Sequence, residues 1–152
     1  MRHLLLYLHI FGFVLWIGGG FATMSTGVLM QSLPRSELRV AMQVQGRLMR
    51  GMILPGVVLA VISGLIMTLR LYGSATSVSG FPVNLMIMQG AGLLAAGLTL
   101  VVSVPTVTRL GRLDPAGEHA PLFDALRRRA RIMGTVTGAL AVVALVAGVL
   151  LR

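Results

Sequence analysis

Two residues in the first apolar stretch of the chain have side chains that can do chemistry, His9 and Trp16. An ionisable side chain at membrane depth is costly, so by default it suggests a functional site. An imidazole there can ligate haem iron or copper, relay a proton, or simply hydrogen-bond to a neighbouring helix. Trp16, the single tryptophan, follows seven residues after His9 and is predicted on the same side of a helix, two turns along.

Candidate second ligands come from the later apolar stretches. Three methionines are expected level with His9, namely Met67, Met86 and Met88. A His/Met pair is a known haem arrangement, and thioethers also bind Cu(I). Methionines in an apolar protein are otherwise mostly core filler. A five-coordinate haem, or two chains that each give a histidine, is the alternative.

Arg70 and Tyr72 follow the second apolar stretch and are expected at the same end as His9. A guanidinium pairs with a carboxylate through two parallel hydrogen bonds, so these side chains can hold haem propionates. Their alternative role is to anchor the helix at the membrane interface. Asn84 and Gln89 can hydrogen-bond across helices or to the edge of a cofactor.

The composition excludes several classes of protein. Hydrophobic residues make up 56% of the 152 residues and charged residues 11%, where a soluble domain has about 25% charged residues. There are no cysteines and only four acidic residues, and no paired carboxylates, HExxH motif or phosphate-binding loop occurs. These absences argue against disulfides, thiolate metal sites and hydrolases.

Four stretches without charged residues, at 4–33, 51–69, 71–108 and 132–151, predict four helices. The predicted helices cover about residues 4–30, 51–71, 83–106 and 121–151. Each stretch has roughly the 20 apolar residues that a membrane-spanning helix needs, and backbone groups in lipid must be paired within the segment. The first is longer than the apolar part of a signal peptide, which predicts a retained helix. The sequence therefore predicts an all-α, polytopic four-helix bundle in a single domain over residues 1–152.

The basic residues predict the orientation of this bundle in the membrane. All 13 are arginine, and they cluster at the ends of the apolar stretches and in the first and third loops. Positive loops stay in the cytoplasm, which places both termini outside, in the periplasm of a bacterial cytoplasmic membrane. No nucleic-acid-binding module accompanies the net charge of +9, so no nucleic-acid partner is expected.

Small residues recur at a spacing of four in the later helices: Gly56, Ala60 and Gly64; Gly92 and Ala96; Gly134 and Gly138; and Ala144 and Gly148. Such rows let helices approach closely, and we favour helix packing for them. Space for a flat cofactor beside the backbone is the alternative. Pro55 removes a backbone donor and is predicted to disturb the second helix near its start.

Two segments resemble a known family. Leu8-His9 with Trp16-Ile17-Gly18-Gly19 resembles the first helix of the HemJ-type family and its relatives, which include the membrane part of CopD-type copper proteins. The segment 46–56, which contains Arg47-Leu48 and Pro55, with Gly64-Leu65 beyond it, is similar to the second helix of that family. The four-helix layout agrees as well.

The resemblance implies a haem b cofactor with His9 as its ligand, and oxidation of protoporphyrinogen IX or electron transfer as the activity. It also implies a role for Arg47. The family's lysine in the third helix has no counterpart, because the corresponding stretch 84–89 reads NLMIMQ and the chain has no lysine.

Two functions follow as hypotheses. The first is a haem b protein with a redox role, which uses His9, Trp16, Arg70, Tyr72, Met67 and Met86. The second is a non-catalytic subunit that packs against or stabilises a larger membrane complex, or forms a homo-oligomer. A third hypothesis is copper handling through His9 and methionines.

Overall fold

The structure, a computed structural model, describes residues 2–73 and 81–151, and in that part all regular secondary structure is helical. The connection between the second and third predicted helices falls largely on residues 74–80, which lie outside the described residues. Six α-helices follow one another along the chain: α1 (Arg2–Leu29), α2 (Arg35–Leu48), α3 (Leu54–Tyr72), α4 (Val83–Leu98), α5 (Val104–Leu110) and α6 (Ala120–Val149).

Four continuous helical rods result, because α2 runs into α3 and α4 runs into α5. The rods cover His3–Leu29, Arg35–Tyr72, Val83–Leu110 and Ala120–Val149, and each is long and apolar enough to cross a membrane. This confirms the all-α fold with four membrane-length helices and indicates a multi-pass membrane protein. The orientation of the bundle stays a prediction.

The second rod begins at Arg35, where the sequence analysis predicted a loop up to residue 50. Leu38 and Met42 of α2 are buried, whereas Arg39 and Gln43 are exposed. This segment is therefore an amphipathic helix. Because its polar face carries arginines, this helix lies outside the uncharged stretches of the sequence.

Two short π-helical segments interrupt the long rods, at Met49–Ile53 and at Thr99–Ser103. In each, the next backbone N–H bonds five residues back, from Leu54 to Met49 and from Val104 to Thr99. A proline follows directly, Pro55 and Pro105. Proline has no N–H and its ring clashes with the carbonyl four residues back, so a locally widened helix accommodates it.

Close helix pairs organise the bundle. α1 packs against α3 where Gly12 meets Gly56, and a Cβ atom on Gly12 would lie 2.9 Å from the Gly56 carbonyl oxygen. α4 packs antiparallel to α6, with a Cβ position on Gly92 lying 3.8 Å from Cβ of Ala144. The packing role predicted for the rows that contain Gly56, Gly92 and Ala144 is confirmed.

One end of the bundle collects the arginine-rich connections, and we call it the arginine end. There the end of α1, the amphipathic α2, the end of α5 and the start of α6 share a small core of Met30, Leu38, Met42, Leu110 and Phe123. On the outside of this core, Arg35 forms an ion pair with Asp124 at 3.0 Å and donates a hydrogen bond to the carbonyl oxygen of Pro115 at 2.9 Å. We call this small core, together with the contacts of Arg35, the cap of the arginine end.

Candidate functional site

His9 lies in the interface between α1 and α3. Its Nδ1 atom is 2.7 Å from the carbonyl oxygen of Ala60, and Ser63 Oγ lies 3.4 Å from the same nitrogen. A carbonyl only accepts, so Nδ1 carries the proton and the Nε2 atom of the neutral ring keeps a lone pair. The imidazole is accommodated by the absent side chain of Gly64, where a Cβ atom would lie 2.8 Å from Cε1 of His9.

A small cavity adjoins His9, and we call it the His9 cavity. Its walls include Phe13 and Trp16 from α1 and Met88, Gln89 and Gly92 from α4. Its volume is about 50 Å³, which holds a few water molecules. Pockets for drug-sized ligands are about 300–1,000 Å³. The residues around His9 therefore offer one ring nitrogen but no room for a macrocycle, and they do not fit haem b.

Apart from Trp16, the other predicted cofactor residues do not meet at His9. Met67 is half-buried on α3, Met86 is 40% exposed on α4, and Arg70 is exposed near the end of α3. Tyr72 packs edge-on against Phe81, with ring centroids 5.3 Å apart. None of these four residues lines the His9 cavity as the structure describes it. Among the predicted methionines, only Met88 reaches it.

The polar residues of α4 connect helices. Gln89 Nε2 donates to Thr68 Oγ1 at 2.7 Å, and Asn84 Nδ2 donates to the Leu150 carbonyl at 2.9 Å. This confirms the interhelical alternative for both residues. Arg47 is exposed on α2, and its functional role stays a prediction.

A much larger cavity, about 650 Å³, lies towards the arginine end between α1 and α6, and we call it the main cavity. Both π-helical segments contribute to its wall, through Met49 and Ile53 and through Thr99 and Ser103. Such segments occur frequently at functional sites. Trp16 lines both this cavity and the His9 cavity.

Glycines keep the main cavity open. Gly20 and Gly27 on α1 and Gly134 and Gly138 on α6 all line it, and a Cβ atom at any of the four would meet nothing within 4 Å. The packing role predicted for Gly134 and Gly138 is therefore wrong. Gly134 and Gly138 instead leave space beside the backbone of α6, which agrees with the alternative hypothesis for such rows.

Ser103 is a buried polar residue in the wall of the main cavity. Its side chain is 5% exposed, and its hydroxyl has no hydrogen-bond partner in the described part of the chain. The neighbouring hydroxyls on the wall are satisfied, since Thr99 donates to the Ala95 carbonyl at 2.7 Å and Thr137 to that of Met133 at 2.8 Å. Buried polar groups are nearly always paired, so the exception needs a reason.

Arg127 and Arg131 line the arginine end of the main cavity. Arg127 donates to the carbonyl oxygen of Met30 at 2.8 Å and so caps the end of α1. Arg131 is exposed, and within residues 2–73 and 81–151 the lining contains no carboxylate. This end of the cavity is positively charged.

Trp16 could be identified as a candidate from the sequence, but the main cavity that it lines could not. One signal was present in the printed sequence, because Thr99 and Ser103 are polar residues within an apolar stretch and stand four apart ahead of Pro105. Thr99 and Ser103 line one cavity with glycines of α1 and α6. This arrangement depends on how the helices pack, and no local sequence pattern reveals that packing.

Comparison with known proteins finds no matching family model, and no curated protein or solved structure matches the chain. The resemblance to the HemJ-type family therefore rests on the short motifs quoted above.

Proposed function

We propose that this chain is a membrane protein that binds an elongated, lipid-soluble ligand in the main cavity. The observation that carries the proposal is a cavity of about 650 Å³ between α1 and α6, with glycines of both helices in its wall. Its volume lies in the range of ligand pockets, about 300–1,000 Å³. The lining is mainly apolar with a few polar groups, which is the usual chemistry of such pockets.

The shape of the cavity favours a chain-like ligand. Lining residues run from Trp16 to Val28 on α1 and from Arg127 to Val142 on α6. At 1.5 Å per helical residue the first stretch is about 18 Å long and the second about 22 Å. A hydrocarbon chain that lies along the helices would contact both walls over about 18 Å.

The lining supports binding more than acid–base chemistry. Among the described residues it contains no histidine, aspartate or glutamate, which are the usual general acids and bases. Hydroxyl, amide and guanidinium groups remain, and they orient a ligand through hydrogen bonds.

The proposal is tested by filling the cavity. Gly138→Leu places a side chain in open space on the wall, so we expect it to exclude the ligand without harming the fold. Gly97→Leu is the matched control, because Gly97 is equally exposed and equally free of neighbours within 4 Å but does not line the cavity.

The readout is native mass spectrometry of the full chain released from detergent micelles. We expect a bound lipid-soluble molecule on the wild type and on Gly97→Leu, and its loss from Gly138→Leu. Equal occupancy in all three proteins, or none in the wild type, would overturn the proposal.

The haem-dependent redox role stays a prediction of the sequence resemblance. The hydrogen bond from His9 to Ala60 leaves Nε2 as a ligand atom, but the adjoining space of about 50 Å³ does not admit haem b. The role of a non-catalytic subunit in a larger complex also stays a prediction. We derive neither from the geometry.

A further inference from the structure

We propose that the ligand of the main cavity carries an anionic head group, bound by the guanidinium of Arg131 and the hydroxyl of Ser103. This inference rests on the proposed binding function and names the class of ligand. The shared chemistry is a carboxylate or phosphate on an apolar chain, as in a fatty acid or an anionic phospholipid.

The charge of the lining is the first argument. Two arginines line the cavity, and no carboxylate does so in the part of the chain that the structure describes. Arg127 is already committed to the Met30 carbonyl. Arg131 has no ion-pair partner among the described residues, so its guanidinium is free to bind a carboxylate or phosphate in bidentate fashion.

The register of α6 against α4 and α5 is the second argument. Gly92 lies beside Ala144, and Met88 lies beside Gly148. Continued along the antiparallel helices, this register places Ser103 near the level of Met133, which lies about 3 Å along the axis of α6 from Arg131, and both Ser103 and Arg131 line the main cavity. One head group can therefore contact both side chains.

The unpaired hydroxyl of Ser103 is the third and independent argument. It is buried, it lines the cavity, and it has no partner within the described residues. An anionic oxygen would accept its hydrogen bond, and hydrogen bonds to charged groups are roughly twice as strong as neutral ones. A purely apolar ligand would leave this hydroxyl unpaired.

These contacts orient the ligand. With the head group at Arg131, the apolar chain extends away from the arginine end towards Trp16, where Ile17 and Ile53 also line the cavity. Trp16 is the single tryptophan of the chain, so its fluorescence reports on the part of the cavity that the tail occupies.

The experiment uses the full chain in phosphatidylcholine nanodiscs and bromine quenching of Trp16 fluorescence. The probes are a stearic acid brominated near the tail end, its methyl ester, and a phosphatidic acid with the same brominated chain. We expect saturable quenching by the acid or the phosphatidic acid, and binding of the ester at least about tenfold weaker, as loss of a charged hydrogen bond implies. The tighter of the two anions identifies the source of the head group.

Variants locate the head group. We expect Arg131→Gln to weaken anion binding about tenfold and Ser103→Ala to weaken it severalfold, without a change for the ester. Arg128→Gln is the control, because Arg128 is exposed and does not line the cavity; it should bind like the wild type.

The outcomes separate this inference from the proposed function. Equal quenching by acid and ester, unchanged in Arg131→Gln, would overturn the anionic head group and leave a lipid-soluble ligand. An equal loss of affinity in Arg128→Gln and Arg131→Gln would also overturn it, since surface charge alone would then explain the effect. No saturable quenching by any probe, together with no bound molecule in native mass spectra, would overturn both.

Discussion

Gly12 and Gly56 bring the backbones of α1 and α3 into contact: a Cβ atom on Gly56 would lie 2.8 Å from the carbonyl oxygen of Gly12 and 2.6 Å from the backbone nitrogen of Trp16. Backbone atoms cannot move aside as a side chain can. This crossing sets the distance between α1 and α3. His9 lies in the interface of these two helices, and Trp16 of α1 lines the main cavity.

We therefore expect Gly56→Ala to destabilise the protein by about 1–3 kcal/mol, the usual cost of overpacking. The measurement is the unfolding midpoint in detergent, followed by circular dichroism and Trp16 fluorescence. Gly90→Ala is the control, because a Cβ atom at Gly90 meets nothing within 4 Å. It should be neutral or stabilising by up to about 1 kcal/mol, the helix propensity gained over glycine. Similar midpoint shifts in the two variants would contradict the close crossing.

The four membrane-length helices of this bundle could be predicted from the sequence because each contains a long apolar run. α2 could not be found that way, since Arg35, Arg39 and Arg47 interrupt its apolar positions. Only its helical spacing, with Leu38 and Met42 four apart, carries the signal.

The two rows of small residues show where sequence reasoning stops. Gly56, Ala60 and Gly64 pack against α1, whereas Gly134 and Gly138 face open space. Both rows have the same spacing, so spacing alone cannot distinguish a contact from a cavity wall. The distinction depends on which helix stands opposite, and that is set by the whole bundle.

The cap at the arginine end should depend on Phe123. This ring is 0% exposed within the small core of Met30, Leu38, Met42 and Leu110. We expect Phe123→Ala to cost about 3–5 kcal/mol, the usual range for a buried phenylalanine. Limited proteolysis of the α2 region and the unfolding midpoint would both report the loss.

Leu122→Ala is the matched control for Phe123→Ala, because Leu122 is the adjacent residue of α6 and is 37% exposed. It should cost clearly less. If Leu122→Ala were as damaging as Phe123→Ala, the burial described for the cap would be wrong.

His9 separates the structural role seen here from the haem role implied by the resemblance. The His9 cavity predicts that protein purified from haem-replete cells shows no Soret band that depends on His9. His9→Ala should instead weaken the α1–α3 contact by about 0.6 kcal/mol, a typical value for an interhelical hydrogen bond in a membrane.

The measurement is an absorption spectrum of wild type and His9→Ala, together with their unfolding midpoints. A Soret band in the wild type that is lost in His9→Ala would establish His9 as a haem ligand. The helices around the His9 cavity would then have to separate from the arrangement described here.

The orientation in the membrane is testable because the chain contains no cysteine, so single cysteines can be introduced without background. Ser36 and Ala116 lie exposed at the arginine end, and His3 lies exposed near the start of α1, at the opposite end. Positive loops stay in the cytoplasm. A membrane-impermeant maleimide added to spheroplasts should therefore label His3→Cys, and should label Ser36→Cys and Ala116→Cys only after lysis. The reverse pattern would place the arginine end, where Arg127 and Arg131 line the main cavity, on the outer side of the membrane. The proposed head-group site would then lie on the side of the outer leaflet, so this labelling also determines which leaflet is nearer to that site.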